Sequence, residues 1–367
     1  MRGLYIHIPF CRSKCLYCDF ASFAGRDELM HTYTAALRRE AALYAGMEFD
    51  TVYIGGGTPT ALDTGCLDEV LYMARANFVF DENCEFTVEA NPGTVTKESA
   101  VLLKKYGVNR ISLGAQSFVD SELSFLGRIH TAEETDRTFE LLRNEGFDNI
   151  SLDLMFALPG QTMDTLSKSL SRVLKLNPEH ISCYGLKIEE GTPFAAMESR
   201  GEIFEKNEDE FADMYEYIVS ALGASGYDRY EISNFARNGR ISRHNTKYWR
   251  CGEYLGLGLG ASSYINGRRF TKCSGFSGYF NDFSLSEDYK LTLEDKMSEF
   301  VILGLRLTKE GISAEDFMLR FGRDIYDVYG EQIRKFENMK MLETNGDIIR
   351  LADRATYVSN SILCEFV

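Results

Sequence analysis

Short β-branched or aromatic runs, the first with the two-residue period of a strand, alternate through residues 1–235 with stretches whose apolar positions return every three to four residues. The runs predict strands over residues 4–8, 51–54, 85–89, 110–113, 150–155 and 180–187. The stretches between them predict helices that include 28–44, 68–76, 97–106, 132–145 and 163–174. Six consecutive βα units fold as a parallel sheet, open or curled into a partial barrel, with function gathered at the carboxyl ends of the strands. From about Tyr230 the rhythm stops, and 236–290 reads as an irregular connecting segment. Helices predicted over 295–307, 314–321 and 325–338, then a hairpin over 341–351 with Asn345-Gly346 at its turn, make 291–367 a smaller helical, winged-helix-like unit.

The loops that follow the predicted strands carry the candidate chemistry. After the first strand come Cys11, Cys15 and Cys18 at C-x3-C-x2-C spacing. After the next four come Gly55-Gly56-Gly57-Thr58-Pro59-Thr60, Glu89-Ala90-Asn91-Pro92-Gly93, Gly114-Ala115-Gln116-Ser117 and Phe156-Ala157-Leu158-Pro159-Gly160-Gln161-Thr162. Three clustered thiolates fit an iron–sulfur cluster with one iron open, since a four-iron cluster takes four cysteines. A zinc site would need a paired second cluster of Cys or His, which the chain lacks. A C-x2-C redox pair would leave Cys11 without a role. The glycine-rich run over 254–264 has G-x-G-x-G-A spacing, not the dinucleotide fingerprint, and reads as backbone packed against the barrel mouth.

Composition narrows the function classes. Hydrophobic residues at 44% and charged residues at 26% are ordinary for a globular chain, and 367 residues suffice for one large and one smaller domain. A net charge of −15 argues against nucleic-acid binding, and the winged-helix-like unit itself has fourteen Asp/Glu against ten Lys/Arg. No apolar run reaches membrane-spanning length, and no secretory or transit pattern precedes the first strand, so a cytoplasmic location is expected. The remaining cysteines (Cys66, Cys84, Cys183, Cys251, Cys273, Cys364) are scattered and are expected to be buried small apolar residues in a reducing compartment.

Taken together, Tyr5 to Phe20, Gly55 to Thr60, Glu89, Gly114 to Ser117 and Asp153 to Thr162 resemble the radical S-adenosylmethionine (SAM) family. Within it, the chain is similar to the branch of oxygen-independent coproporphyrinogen III oxidases and haem chaperones. The resemblance spans nearly the whole chain. It implies a partial (β/α)6 barrel and a [4Fe–4S] cluster on Cys11, Cys15 and Cys18, with SAM on the open iron as source of a 5′-deoxyadenosyl radical. By the same resemblance Tyr5, Gly56, Thr58, Glu89, Gln116, Arg128 and Asp153 contact SAM, with Arg128 pairing its carboxylate and Asp153, at the end of strand five, taking a hydroxyl.

Two departures separate the branches. Phe20 stands where the oxidases carry a fourth cysteine, and the oxidases carry an N-terminal extension ahead of the first strand, which is expected here to start at Leu4. His244-Asn245-x-x-Tyr248-Trp249 matches the signature of the haem chaperones, which implies His244, Tyr248 and Trp249 as haem contacts. Ser262 stands where many related sequences carry histidine. The expectation is a protein that takes haem as cargo and delivers it to haem-dependent respiratory proteins, with an electron donor as a further partner. The alternative is oxidative decarboxylation of coproporphyrinogen III to protoporphyrinogen IX.

Overall fold

A computed structural model describes residues 1–367. Six parallel strands, β1 (Arg2–Ile8), β2 (Glu48–Gly56), β3 (Val79–Ala90), β4 (Arg110–Gln116), β5 (Ile150–Phe156) and β6 (His180–Gly185), lie side by side in chain order. Helices Met30–Ala42, Thr64–Asn77, Lys97–Lys105, Ala132–Asn144 and Met163–Leu176 connect them. The partial (β/α)6 barrel is therefore present. Capping boxes at Thr96, Thr131 and Thr162 start three of the helices by satisfying amides that the first turn leaves free.

The strands alternate in a sense that matters for the site. Leu4, Ile6, Val52, Ile54, Phe86, Val88, Ile111, Leu113, Leu152, Leu154 and Ile181 join one large core beneath the helices. The alternate positions (Tyr53, Glu89, Arg110, Ser112, Asp153, Ser182) line the barrel interior. The apolar face of each strand is thus turned outward to the helices, and the polar face inward, as the two-residue period allows.

The sheet does not end with the sixth strand. The segment 236–290, expected to be irregular, contributes helices Arg243–Trp249 and Phe276–Asp282 and four strands. Beyond β6, β7 (Asp228–Arg229) and β8 (Asn234–Ala236) add antiparallel, with β8 against β6. At the other edge β9 (Tyr254–Leu257) pairs parallel to β1, and β10 (Ser262–Ile265), β11 (Arg268–Lys272) and β12 (Leu285–Lys290) follow antiparallel, giving twelve strands. The glycine-rich run is mostly strand: Tyr254–Leu257 forms β9 and Ser262–Tyr264 belongs to β10, and in the turn between them Gly260 faces a cavity and Leu259 donates to the Tyr33 hydroxyl at 3.1 Å.

The C-terminal unit has its own core of 18 buried residues under helices Leu293–Gly304, Ala314–Phe321 and Ile325–Asn338. Its hairpin, Leu342–Asn345 and Ile348–Leu351, is joined by Ile312–Ser313 into a three-stranded sheet, with Gly346 at φ 64° in the turn. The unit is a winged-helix-like domain. Its first helix packs on Arg243–Trp249, where the Arg306 guanidinium lies 4.3 Å from the centre of the Trp249 ring.

Two expectations need correction. Of the six scattered cysteines only Cys66 and Cys183 are buried; Cys84, Cys251 and Cys273 are partly exposed and Cys364 fully so, and all nine cysteines are free thiols. Sequence spacing carries no information on which face of an element a small residue occupies at a sheet edge or chain end. Asp153 does not end its strand either: β5 runs on to Phe156, so Asp153 sits inside the barrel, below its rim.

Candidate functional site

The cysteine loop leaves β1 at Pro9 and is tied down by backbone bonds from Leu16 to Leu126 at 3.0 Å and from Phe194 to Leu16 at 3.1 Å. Each of the three sulfurs has a polar neighbour. The Thr58 hydroxyl donates to Cys11 Sγ at 3.6 Å, Arg128 Nη1 to Cys15 Sγ at 3.5 Å, and Ser22 Oγ lies 3.8 Å from Cys18 Sγ. Burial pushes the thiols of Cys11 and Cys18 up from their ordinary value. Bound iron would reverse that and hold them as thiolates. Gly57 leaves room for the loop: a Cβ there would stand 2.7 Å from the Phe10 carbonyl and 3.0 Å from Cys11 Sγ. Soft donors at one loop, hydrogen-bonded at sulfur and backed by bare backbone, fit an iron–sulfur cluster.

A relay of side chains connects this loop to the next three strand ends. Arg128 Nη2 donates to Asn91 Oδ1 at 2.7 Å and to the Gly114 carbonyl at 2.6 Å. Asn91 Nδ2 donates to Thr58 Oγ1 at 2.7 Å, and Thr58 then reaches Cys11. Gly56, at φ 110°, donates its amide to Glu89 Oε2 at 3.0 Å, while Tyr53 donates to Glu89 Oε1 at 2.7 Å. Burial pushes the Glu89 carboxyl up to about 7 against these two hydrogen bonds.

Two cavities meet at Gly56, Glu89 and Phe20. The first, about 390 Å³, is the barrel interior under the cysteine loop. It is faced by Gly56, Glu89, Gln116, Arg128 and Asp153 among the residues expected to contact SAM. Gln116 enters it because a register shift at the end of β4 places this residue at φ 63°. Asp153 accepts from Ser182 at 2.6 Å, from Ser112 at 3.0 Å and from Ser151 at 3.3 Å. The other two expected contacts lie elsewhere: Tyr5 faces the second cavity, its hydroxyl 2.9 Å from His7 Nδ1, and Thr58 is buried beneath the cysteines.

The second cavity, about 700 Å³, is a cleft between the barrel and the C-terminal unit, walled by Tyr5, Tyr248, Trp249, Tyr254 and Tyr264. His244 is not in it. It is 1% exposed, with Nδ1 3.0 Å from Thr51 Oγ1 and Nε2 2.7 Å from the Tyr248 hydroxyl. Burial, aided by the Lys247 charge, pushes it down to about 3. So placed, His244 offers no free nitrogen to haem iron; it holds Tyr248 in the cleft wall instead. Ser262 is in the wall, bonded to Thr271 at 2.9 Å.

Sequence reasoning passed over Tyr53, Asn91, Arg110, Ser112 and Ser182, all on the first cavity. The signal was available: polar residues at alternate positions of strands whose other positions are uniformly apolar mark the inside of a barrel.

A three-cysteine loop at the carboxyl end of the first strand of a partial (β/α)6 barrel, open onto a polar interior, defines the radical SAM class; the Radical SAM superfamily model matches residues 5–173 and the HemN C-terminal domain model residues 291–358. Among curated relatives, "Heme chaperone HemW" of Lactococcus lactis subsp. lactis is 36% identical over 99% of this chain and 96% of its own length. That of Bacillus subtilis is 35% identical over 100% and 99%, and that of Escherichia coli 38% identical over 83% and 82%. The chain belongs to the HemW family. Among solved structures, coproporphyrinogen III oxidase (HemN) of Escherichia coli shares the fold at a TM-score of 0.86, with 22% identity over 99% of this chain and 89% of that one. No helix is long and apolar enough to cross a membrane.

Proposed function

We propose that this protein is a haem chaperone that holds haem in the aromatic cleft, carries a [4Fe–4S] cluster and SAM in the adjoining barrel, and passes haem to haem-dependent respiratory proteins. The observation that carries the reading is the full-length similarity, at 35% and 36%, to relatives named for haem chaperoning. Cys11, Cys15 and Cys18 would hold the cluster, and Gly56, Glu89, Gln116, Arg128 and Asp153 would line the SAM cavity. When bound, the cluster would supply the single electron that SAM chemistry requires.

The cleft suits cargo that must leave again. Tyr248 meets Tyr254 edge-on with ring centres 4.6 Å apart, and Ile302 and Leu303 close the far side, so a flat apolar macrocycle would be held by stacking and burial. The imidazole on this wall, His7, has one ring nitrogen 2.9 Å from the Tyr5 hydroxyl and the other 2.9 Å from the Ala21 carbonyl. Binding without a committed histidine ligand favours release.

Full-length, cluster-reconstituted protein titrated with haem is expected to shift the Soret band, with affinity falling at least about tenfold in Tyr248→Ala. A wild-type protein that leaves the Soret band unmoved sinks the reading. So does formation of protoporphyrinogen IX when the protein is incubated anaerobically with SAM, reductant and coproporphyrinogen III.

A further inference from the structure

The barrel interior contains a cation that the arrangement described so far does not use. Arg110, the first residue of β4, is 2% exposed and heads the fully buried side chains by volume. Its Nε is buried without an acceptor, and its guanidinium forms no ion pair. It lines the first cavity together with Ser112, Asp153 and Ser182. The two acids nearby are already served: Glu89 by Tyr53 and Gly56, Asp153 by its three serines. A guanidinium buried without a partner is costly, and its planar fork matches a carboxylate.

Depth separates Arg110 from the other arginine of the cavity. Arg128 binds the Gly114 carbonyl and Cys15 at the mouth. Arg110 precedes Gly114 by four residues on the same face of the strand, roughly 13 Å deeper at about 3.3 Å per residue. A ligand group that reaches it must extend from the mouth past Glu89 toward the floor.

We propose that Arg110 is a carboxylate anchor at the cavity floor, gripping the acid group of a ligand that enters from the mouth. Two ligands carry such a group: SAM has an amino-acid carboxylate, and a tetrapyrrole has propionate arms. Arg128, beside the cluster loop at the mouth, is the nearer partner for a SAM carboxylate, which leaves a propionate as the favoured occupant at Arg110. That source rests on the function proposed above, whereas the SAM source does not.

The test uses full-length, cluster-reconstituted protein and three probes: haem, haem dimethyl ester and SAM. With a propionate as the occupant, wild type binds haem at least about tenfold more tightly than the ester, Arg110→Gln erases that preference, and SAM affinity stays within about twofold. With SAM as the occupant, Arg110→Gln weakens SAM at least about tenfold and the haem-to-ester ratio is unchanged. If neither quantity moves, the anchor is overturned. A wild type that binds no haem overturns the proposed function, and the SAM comparison still decides on Arg110. Should Arg110→Gln fail to fold, by circular dichroism, Arg110→Lys and the wild-type ester comparison replace it: equal haem and ester affinities with unchanged SAM affinity in Arg110→Lys overturn the anchor.

Discussion

Gly56→Ala is expected to destroy the barrel cavity proposed for SAM and to lower the stability of the barrel by several kcal/mol. Gly56 sits at φ 110°, a region that side-chain-bearing residues rarely adopt, and a Cβ there would lie 2.4 Å from Cε1 and Nδ1 of His7. The backbone strain costs about 1–3 kcal/mol and the overpacking a similar amount. Relaxing either one moves the amide that donates to Glu89 Oε2 and pulls this carboxylate off the wall shared by the two cavities. Urea unfolding and SAM equilibrium dialysis on the reconstituted protein measure both effects. The companion change His7→Ala removes the ring that the new methyl strikes, so the double variant should regain part of the lost stability but not the strain term. Wild-type stability and SAM affinity in Gly56→Ala would refute the assignment of this turn.

Acid should destabilise the fold between about pH 6.5 and pH 4.5, before most carboxylates titrate. Four of the five histidines, His7, His130, His180 and His244, are buried, each at 6% exposure or less. Burial lowers all four: His130 to about 4, His244 to about 3, His7 and His180 also downward. A histidine whose folded value lies below its unfolded value of about 6.5 gives stability that is complete above that pH. The stability is lost as the unfolded chain takes up protons that the folded one refuses. Glu89, pushed up to about 7, has the opposite sign, as do Asp153 and Glu231, whose carboxyls burial also raises: folded, they take up protons before the unfolded chain does, and this offsets part of the histidine contribution. Each proton that the unfolded chain takes up and the folded one refuses contributes about 1.4 kcal/mol per pH unit. Urea midpoints of the cluster-free protein at pH 7.5, 6.0 and 5.0 give the slope directly. His244→Gln, which removes one of the four groups, should flatten it, and a midpoint independent of pH over this range would contradict the burial of these rings.

How much of this was legible in the sequence varies by element. All six parallel strands stand where β-branched and aromatic runs put them, and four of the five helices between them start at residues whose side chains cap amides, Asp63, Thr96, Thr131 and Thr162, because both signals are local. The winged-helix-like unit was legible for the same reason, through three amphipathic helices and Asn345-Gly346. The cysteine loop was legible from spacing, and its loop neighbours from their shared place after strands. The edge strands β9 to β12 were not. The strand that attaches them to the barrel, β9, has its partner far off in the chain, with Leu255 beside Leu4, and short edge strands carry little periodicity of their own.

The sequence by itself thus determined the order of βα units, the three soft ligands on one loop and the family to which they point. Only the tertiary structure decided which polar residues share a cavity. It turned Arg110, Ser112, Asp153 and Ser182 to one barrel interior because alternate strand positions must face opposite ways. It also buried His244 behind Tyr248, taking from the H-N-x-x-Y-W motif the free imidazole that its residue types suggest. Local propensity sets what an element is, but what a side chain can touch follows from the faces that packing closes, and these are fixed by residues distant in sequence.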